Sequence, residues 1–220
     1  MKLAWWKILT IILLVYVLVM GLVGEVPRQA ILNETVRNLY FHVTMWFGMV
    51  LFLLISLVHS IAYLRSGKIE SDDRAVEYVN TGILFGLIGF VTGALWGKYT
   101  WGSALPKDPK ILSAAIAMLA YFAYLILRGA FEDEQKRARI SSVYNIFAFV
   151  IFNVLIFILP RMTDTLHPGQ GGNPGFNIYD NDNVMKPVFY PAIIAWMLLG
   201  VWITTLRIRL KSVERLLNEH

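Results

Sequence analysis

Ile8-Leu-Thr-Ile-Ile-Leu-Leu-Val-Tyr-Val-Leu-Val-Met-Gly-Leu-Val23 is an apolar run without a single charged side chain. An α-helix rises about 1.5 Å per residue and the hydrocarbon of a bilayer is about 30 Å thick, so a crossing needs about 20 mostly apolar residues. Extended to Trp5 on one side and Gly24 on the other, the stretch has that length. It is long for a leader's apolar region, and no small-x-small cleavage site follows it. Both features predict a retained membrane helix rather than a removed signal.

Five more segments of this kind follow, at about 40–64, 79–96, 111–128, 141–160 and 188–206. Pro109 stands just before the fourth and Pro160 closes the fifth, which suits helix limits. The chain has 220 residues, of which 57% are hydrophobic, and a mean hydropathy of +0.57. Soluble domains run at about 45–50% apolar, and a core of this size cannot absorb the excess. The expected fold is therefore all-α, a polytopic membrane protein of six transmembrane helices forming one integral membrane domain over 1–220. No internal repeat is visible. There is no cysteine, which excludes disulfides, thiolate metal sites and iron–sulfur clusters.

Orientation follows from Lys and Arg. With the N-terminus inside, 13 of the 20 basic residues fall in inner segments and seven in outer ones. That bias predicts both termini in the cytoplasm. The outer loops are then about 25–39, 97–110 and 161–187. Trp96 and Trp101 fall at the outer boundary, and Trp5 and Trp6 at the inner one, as an interfacial aromatic belt requires.

The second outer loop opens within Thr92-Gly-Ala-Leu-Trp-Gly-Lys-Tyr-Thr-Trp-Gly-Ser103. The pairs Trp96-Gly97 and Trp101-Gly102 bracket an expected hinge at the end of the third helix, where glycine permits close approach and positive φ. Indole faces can stack on a flat macrocycle. Lys98, Lys107 and Lys110 crowd the same region and form a candidate anion site, although interfacial lysines serve membranes generally.

Of four histidines, His42 opens the second helix in Tyr40-Phe-His-Val-Thr-Met-Trp46, and His167 lies in the last outer loop in Thr163-Asp-Thr-Leu-His-Pro-Gly169. Both fall at the outer face. His59 is 17 residues beyond His42 on the same helix, roughly 25 Å further in, and reads as an interfacial or hydrogen-bonded side chain. His220 ends the sequence. Aromatic faces, cations and two imidazoles suit a flat, anionic, iron-bearing ligand, which is haem, with His42 and His167 as axial ligands. Zinc would require three or four ligands.

The segment Val91–Ser103 resembles the turn that precedes and opens the signature of CcmC, the haem-handling component of system I cytochrome c maturation. That signature, WGxWWxWDxRLT, marks the WWD-domain proteins. In register from Trp101 the sequence reads Trp101-Gly-Ser-Ala-Leu-Pro-Lys-Asp-Pro-Lys-Ile-Leu112. Trp101, Gly102 and Asp108 match it. Lys110 stands where the signature has arginine, keeping the charge but losing the bidentate fork. Ala104, Leu105 and Lys107 replace three tryptophans. His42 and the Thr165-Leu-His167 context match the two outer histidines of these proteins. Ala130-Phe-Glu-Asp133 is similar to their turn after the fourth helix.

The resemblance implies a haem-binding membrane protein of cytochrome c biogenesis in the bacterial inner membrane. It would present haem b, held non-covalently, at the outer face to a periplasmic chaperone of the CcmE type. Its partners would be ABC transporter subunits of the CcmA and CcmB type and a small CcmD-type membrane subunit. The implied haem site comprises His42 and His167 on the iron, with Trp96, Trp101, Gly97, Gly102, Asp108, Lys98, Lys107 and Lys110 around them. No nucleophile–base arrangement points to an enzyme. The loop Pro168–Gly175 is expected to let one ligand release. Two other classes remain open on the residues alone. A quinone-linked cytochrome b-type subunit would need facing histidines inside the bundle, and a small-solute transporter would need intramembrane charges or repeats.

Overall fold

A computed structural model describes residues 4–28, 32–167 and 182–218. His220 and the loop Pro168–Gly175 lie outside the described residues. Among the described residues all regular structure is helical: α1 (Trp5–Val23), α2 (Leu39–Ser66), α3 (Ile69–Trp101), α4 (Pro109–Gly129), α5 (Glu134–Asn153) and α6 (Lys186–Asn218). A short 3₁₀ turn, Asn33–Asn38, leads into α2. A π turn (Val154–Ile158) and a 3₁₀ turn (Leu159–Arg161) extend α5. The six helical stretches are each long and apolar enough to cross a membrane.

The helices overrun the apolar segments that the sequence marks. α3 starts ten residues before the expected 79 and ends at Trp101, and α6 runs to Asn218 rather than stopping near 206. Hydropathy ends where charge begins, but these helices continue because their charges neutralise one another. Asp72 on α3 takes a bidentate bond from Arg128 on α4, both arms at 2.7 Å, with both side chains buried. Asp73 pairs with Lys211 at 3.0 Å and Arg215 at 2.6 Å on α6, and Arg215 also reaches Glu134 on α5. Glu77 pairs with Arg207 at 2.5 Å. The starts of α3 and α5 and the ends of α4 and α6 thus meet at one end of the bundle. Removing one partner of a buried pair such as Asp72–Arg128 costs about 3–5 kcal/mol, so this belt fixes the register of four helices.

α2 is the central post, packed against α3, α5 and α6, while α1 lies on α6 and α4 on α5. One core joins Met49, Phe52, Phe85, Tyr121 and Phe152 between α2, α3, α4 and α5. A second joins Val17, Tyr40, Val188, Phe189 and Ala192 between α1, α2 and α6. The outside is apolar: Ile12, Leu119, Ile126, Phe147 and Val150 are all exposed. An uncovered apolar shell around a packed interior is what a lipid solvent permits.

The α2–α3 contact positions the candidate site. Gly82, Gly86, Gly89 and Gly93 recur every three or four residues on the face of α3 that meets α2. Without side chains there, the two backbones approach closely, the general device of membrane helix pairs. A Cβ at Gly86 would lie 2.5 Å from the sulfurs of both Met49 and Met118.

Candidate functional site

His42 is held against this glycine face. Its Nδ1 lies 2.8 Å from the Gly89 carbonyl oxygen. A carbonyl only accepts, so Nδ1 carries the proton and donates it. The ring lies so close over α3 that a Cβ at Gly93 would be 2.5 Å from Cε1. Trp96, one turn on, meets the imidazole edge-on with centroids 5.8 Å apart, and Trp46 does so at 6.3 Å. Trp96 is fixed by its Nε1, which donates to Thr35 Oγ1 at 3.1 Å, and Asn38 donates to the Thr92 carbonyl at 2.9 Å. The 3₁₀ turn before α2 is thereby fastened to α3.

α3 remains helical through Gly97 to Trp101, so the hinge expected between Trp96-Gly97 and Trp101-Gly102 is continuous helix. The helix ends at Gly102, whose φ of 76° is left-handed and suits glycine. Gly97 serves a different purpose: a Cβ there would come within 3.1 Å of the Ser103 carbonyl oxygen, so the chain folds back tightly over it. The connection to α4 is correspondingly shorter than the expected 97–110 and runs over 102–108.

Asp108 ends that connection, and its side chain is 1% exposed. It is the N-cap of α4, accepting from the Lys110 and Ile111 amides at 3.0 and 3.3 Å, with Pro109 at the first helical position. The same carboxylate grips the segment before the last helix. Thr165 Oγ1 and the Leu166 amide donate to Oδ2, both at 2.7 Å, and His167 Nδ1 lies 3.1 Å from Oδ1. Trp101 packs edge-on against His167 with centroids 4.7 Å apart.

The electrostatics assign the proton. Burial pushes the Asp108 carboxyl upward, but the Leu166 amide, the Thr165 hydroxyl and His167 outweigh it and hold the group below its ordinary value. Burial, with Lys110 adding to it, pushes His167 down to about 4 against the opposing pull of Asp108. His167 is therefore neutral at pH 7, and its Nδ1–H donates to an ionised Asp108. Nε2 of His167 and Nε2 of His42 make no hydrogen bond among the described residues.

Two groups thus meet at one end of the bundle: His42 with Trp96, and His167 with Trp101 and Asp108. The two imidazoles lie within electrostatic range of each other, and Lys110 within range of both. Lys98 and Lys107 are exposed and make no ion pair among the described residues. His59 is elsewhere, stacked on Tyr78 with ring planes 12° apart. The Gly89 carbonyl, Gly93, Thr35 and Thr165 also shape the site, and no motif in the sequence marks these contacts. Only the three- and four-residue glycine spacing of α3 signals the first two, whereas the last two depend on tertiary contacts.

The family model of heme exporter protein C matches residues 1–220. Heme exporter protein C of Haemophilus influenzae is 25% identical over 210 residues, covering 94% of this chain and 82% of the relative. That of Escherichia coli K12 is 22% identical over 207 residues, covering 93% and 81%. That of Rhodobacter capsulatus reaches 30% over 117 residues, covering 53% and 48%. A match along the entire chain, joined to six membrane-length helices, establishes that this protein belongs to the heme exporter protein C family.

Proposed function

We propose that this protein receives haem at the end of the bundle that carries His42 and His167 and offers it to a periplasmic haem chaperone for cytochrome c maturation. The observation that carries this reading is the matched state of the two imidazoles. Each has its Nδ1–H committed to an oxygen acceptor, the Gly89 carbonyl for His42 and Asp108 for His167. That leaves Nε2 as the available lone pair on both. Iron-ligating histidines are held in this way, because the acceptor fixes the tautomer and orients the ring while making the opposite nitrogen more basic.

The residues present fit haem in other respects. Trp96 and Trp101 each stand beside one imidazole and supply apolar surface for a macrocycle. Lys98, Lys107 and Lys110 supply cations for the propionates. Haem brings iron with open axial positions. The chain supplies two neutral imidazoles, one from a rigid helix and one from a segment held by a single carboxylate. That asymmetry suits a transfer protein: the His167 side can let go without disturbing α2. In this reading both termini lie in the cytoplasm of a bacterial inner membrane, and haem b is held non-covalently. CcmA-, CcmB- and CcmD-type subunits assemble in the membrane, and a CcmE-type chaperone docks over the three loops.

The test is haem copurification. His42→Ala and His167→Ala should each lower the haem recovered with the detergent-solubilised protein. Undiminished haem in both variants would overturn the ligand assignment. The cytochrome b-type alternative needs a second histidine facing His59, and His59 stacks on Tyr78 instead.

A further inference from the structure

At the end of the bundle opposite the histidines, an open groove of about 600 Å³ lies between the last turn of α2 and the first turns of α5. Tyr63, Leu64, Gly67, Gln135, Lys136 and Arg139 line it. Its floor is fixed, because the hydroxyl of buried Tyr63 donates toward two oxygens of Gln135, the backbone carbonyl at 3.0 Å and the side-chain Oε1 at 2.9 Å. Leu64, 40% exposed, forms an apolar wall.

The charge in this groove is one-sided. Several cations of this end are matched by carboxylates: Arg128 by Asp72, Arg207 by Glu77, Lys211 by Asp73, and Arg215 by Asp73 and Glu134; Arg65, Lys68, Arg74 and Arg209 are exposed and do not line the groove. The acids nearest the groove are already engaged. Asp133 caps α5 by accepting from the Lys136 amide, and Glu134 turns to Arg137 and Arg215. Lys136 and Arg139 form no ion pair among the described residues. The Lys136 ammonium rests over the Phe131 ring at 5.4 Å, a contact that leaves it open to an anion.

We infer that this groove binds the headgroup of an anionic phospholipid. The argument is complementarity: two unmatched cations and a polar amide beside an exposed leucine, at the level where the membrane helices meet their ion-pair belt. A phosphate joined to acyl chains satisfies both halves, and basic sites between membrane helices at this level take such headgroups. The inference is independent of haem.

The test uses the full chain, purified in a neutral detergent, with native mass spectrometry counting retained phosphatidylglycerol against phosphatidylcholine. The intact protein should prefer phosphatidylglycerol. Each cation near an anionic surface contributes about fivefold, so Lys136→Ala with Arg139→Ala should reduce that preference about 25-fold. Both side chains are exposed, so the fold should survive. A control pair, Arg74→Ala with Arg209→Ala, removes two exposed cations of the same end that do not line the groove, and it should leave the preference intact. An equal loss in the control pair would mean diffuse charge attraction and would overturn the site. So would an unchanged preference in the groove variant, or displacement of the lipid by equimolar inorganic phosphate.

Discussion

Replacing Asp108 by asparagine separates its two roles. Asparagine is as good an N-cap as aspartate, so the bonds from the Lys110 and Ile111 amides persist and α4 keeps its start. What changes is the grip on residues 165–167. Oδ2 accepts from Thr165 and Leu166, and an amide nitrogen in that place cannot accept from the Leu166 amide. The bond from His167 loses its ionised partner. Hydrogen bonds to a charged group contribute about 1.5–3 kcal/mol each, so two impaired bonds amount to about 3–6 kcal/mol on this segment, part of which relaxation recovers. Substitution of such an orienting partner lowers metal affinity about 10- to 100-fold. The assay is titration of the detergent-purified variant with haem, following the Soret band, beside a thermal melt. We expect Asp108→Asn to weaken haem binding within that range and to lower the melt modestly, and Asp108→Ala to lower the melt further, because the cap is lost too at about 1 kcal/mol. Haem affinity equal to the parent in Asp108→Asn would refute the role given to the carboxylate.

Further expectations concern packing and protons. Gly93→Ala places a methyl 2.5 Å from His42 Cε1; the ring must move, and we expect loss of six-coordinate haem with the helical fold retained, read by absorption and circular dichroism. Asp72→Asn leaves Arg128 without its buried counter-charge, which should destabilise the protein by about 3–5 kcal/mol, seen as a lowered melting temperature with an unaltered haem spectrum at low temperature. For pH, His167 sits at about 4 in the folded protein against an ordinary 6.5. The unfolded chain therefore binds more protons between those values, and acidification through that window should reduce stability. Haem ligation itself should persist from pH 7 to about pH 5 and weaken only at or below about pH 4, where a proton competes with iron for Nε2 of His167. A midpoint of ligand loss near 6.5 would mean that His167 is not shielded as described.

Much of the fold can be read from the sequence, because a bilayer imposes a length on every crossing, and runs such as Ile8–Val23 carry that length openly. Helix ends beyond the membrane are less legible. Glu77 and Arg207 read as loop charges until their pairing across α3 and α6 is known. The same holds at the candidate site. His42 and His167 can be picked out by their position at one face, and Asp108 by the signature it matches. What cannot be read is that Asp108 and His167, 59 residues apart, are hydrogen-bonded, or that the backbone carbonyl of Gly89 sets the tautomer of His42. Backbone acceptors carry no residue-type signal, and contacts across such separations follow only from the packed bundle. The hinge expected between Trp96-Gly97 and Trp101-Gly102 fails for a similar reason: Gly97 serves close approach to Ser103, and the turn comes only at Gly102.

The central claim is that two imidazoles from different segments share one iron. Its most direct measurement is the absorption spectrum of haem-loaded protein beside His42→Gly and His167→Gly, each with and without added imidazole. We predict a six-coordinate, low-spin spectrum for the parent, conversion to a five-coordinate form in each variant, and restoration by imidazole. A six-coordinate spectrum retained in both variants without imidazole would contradict the account.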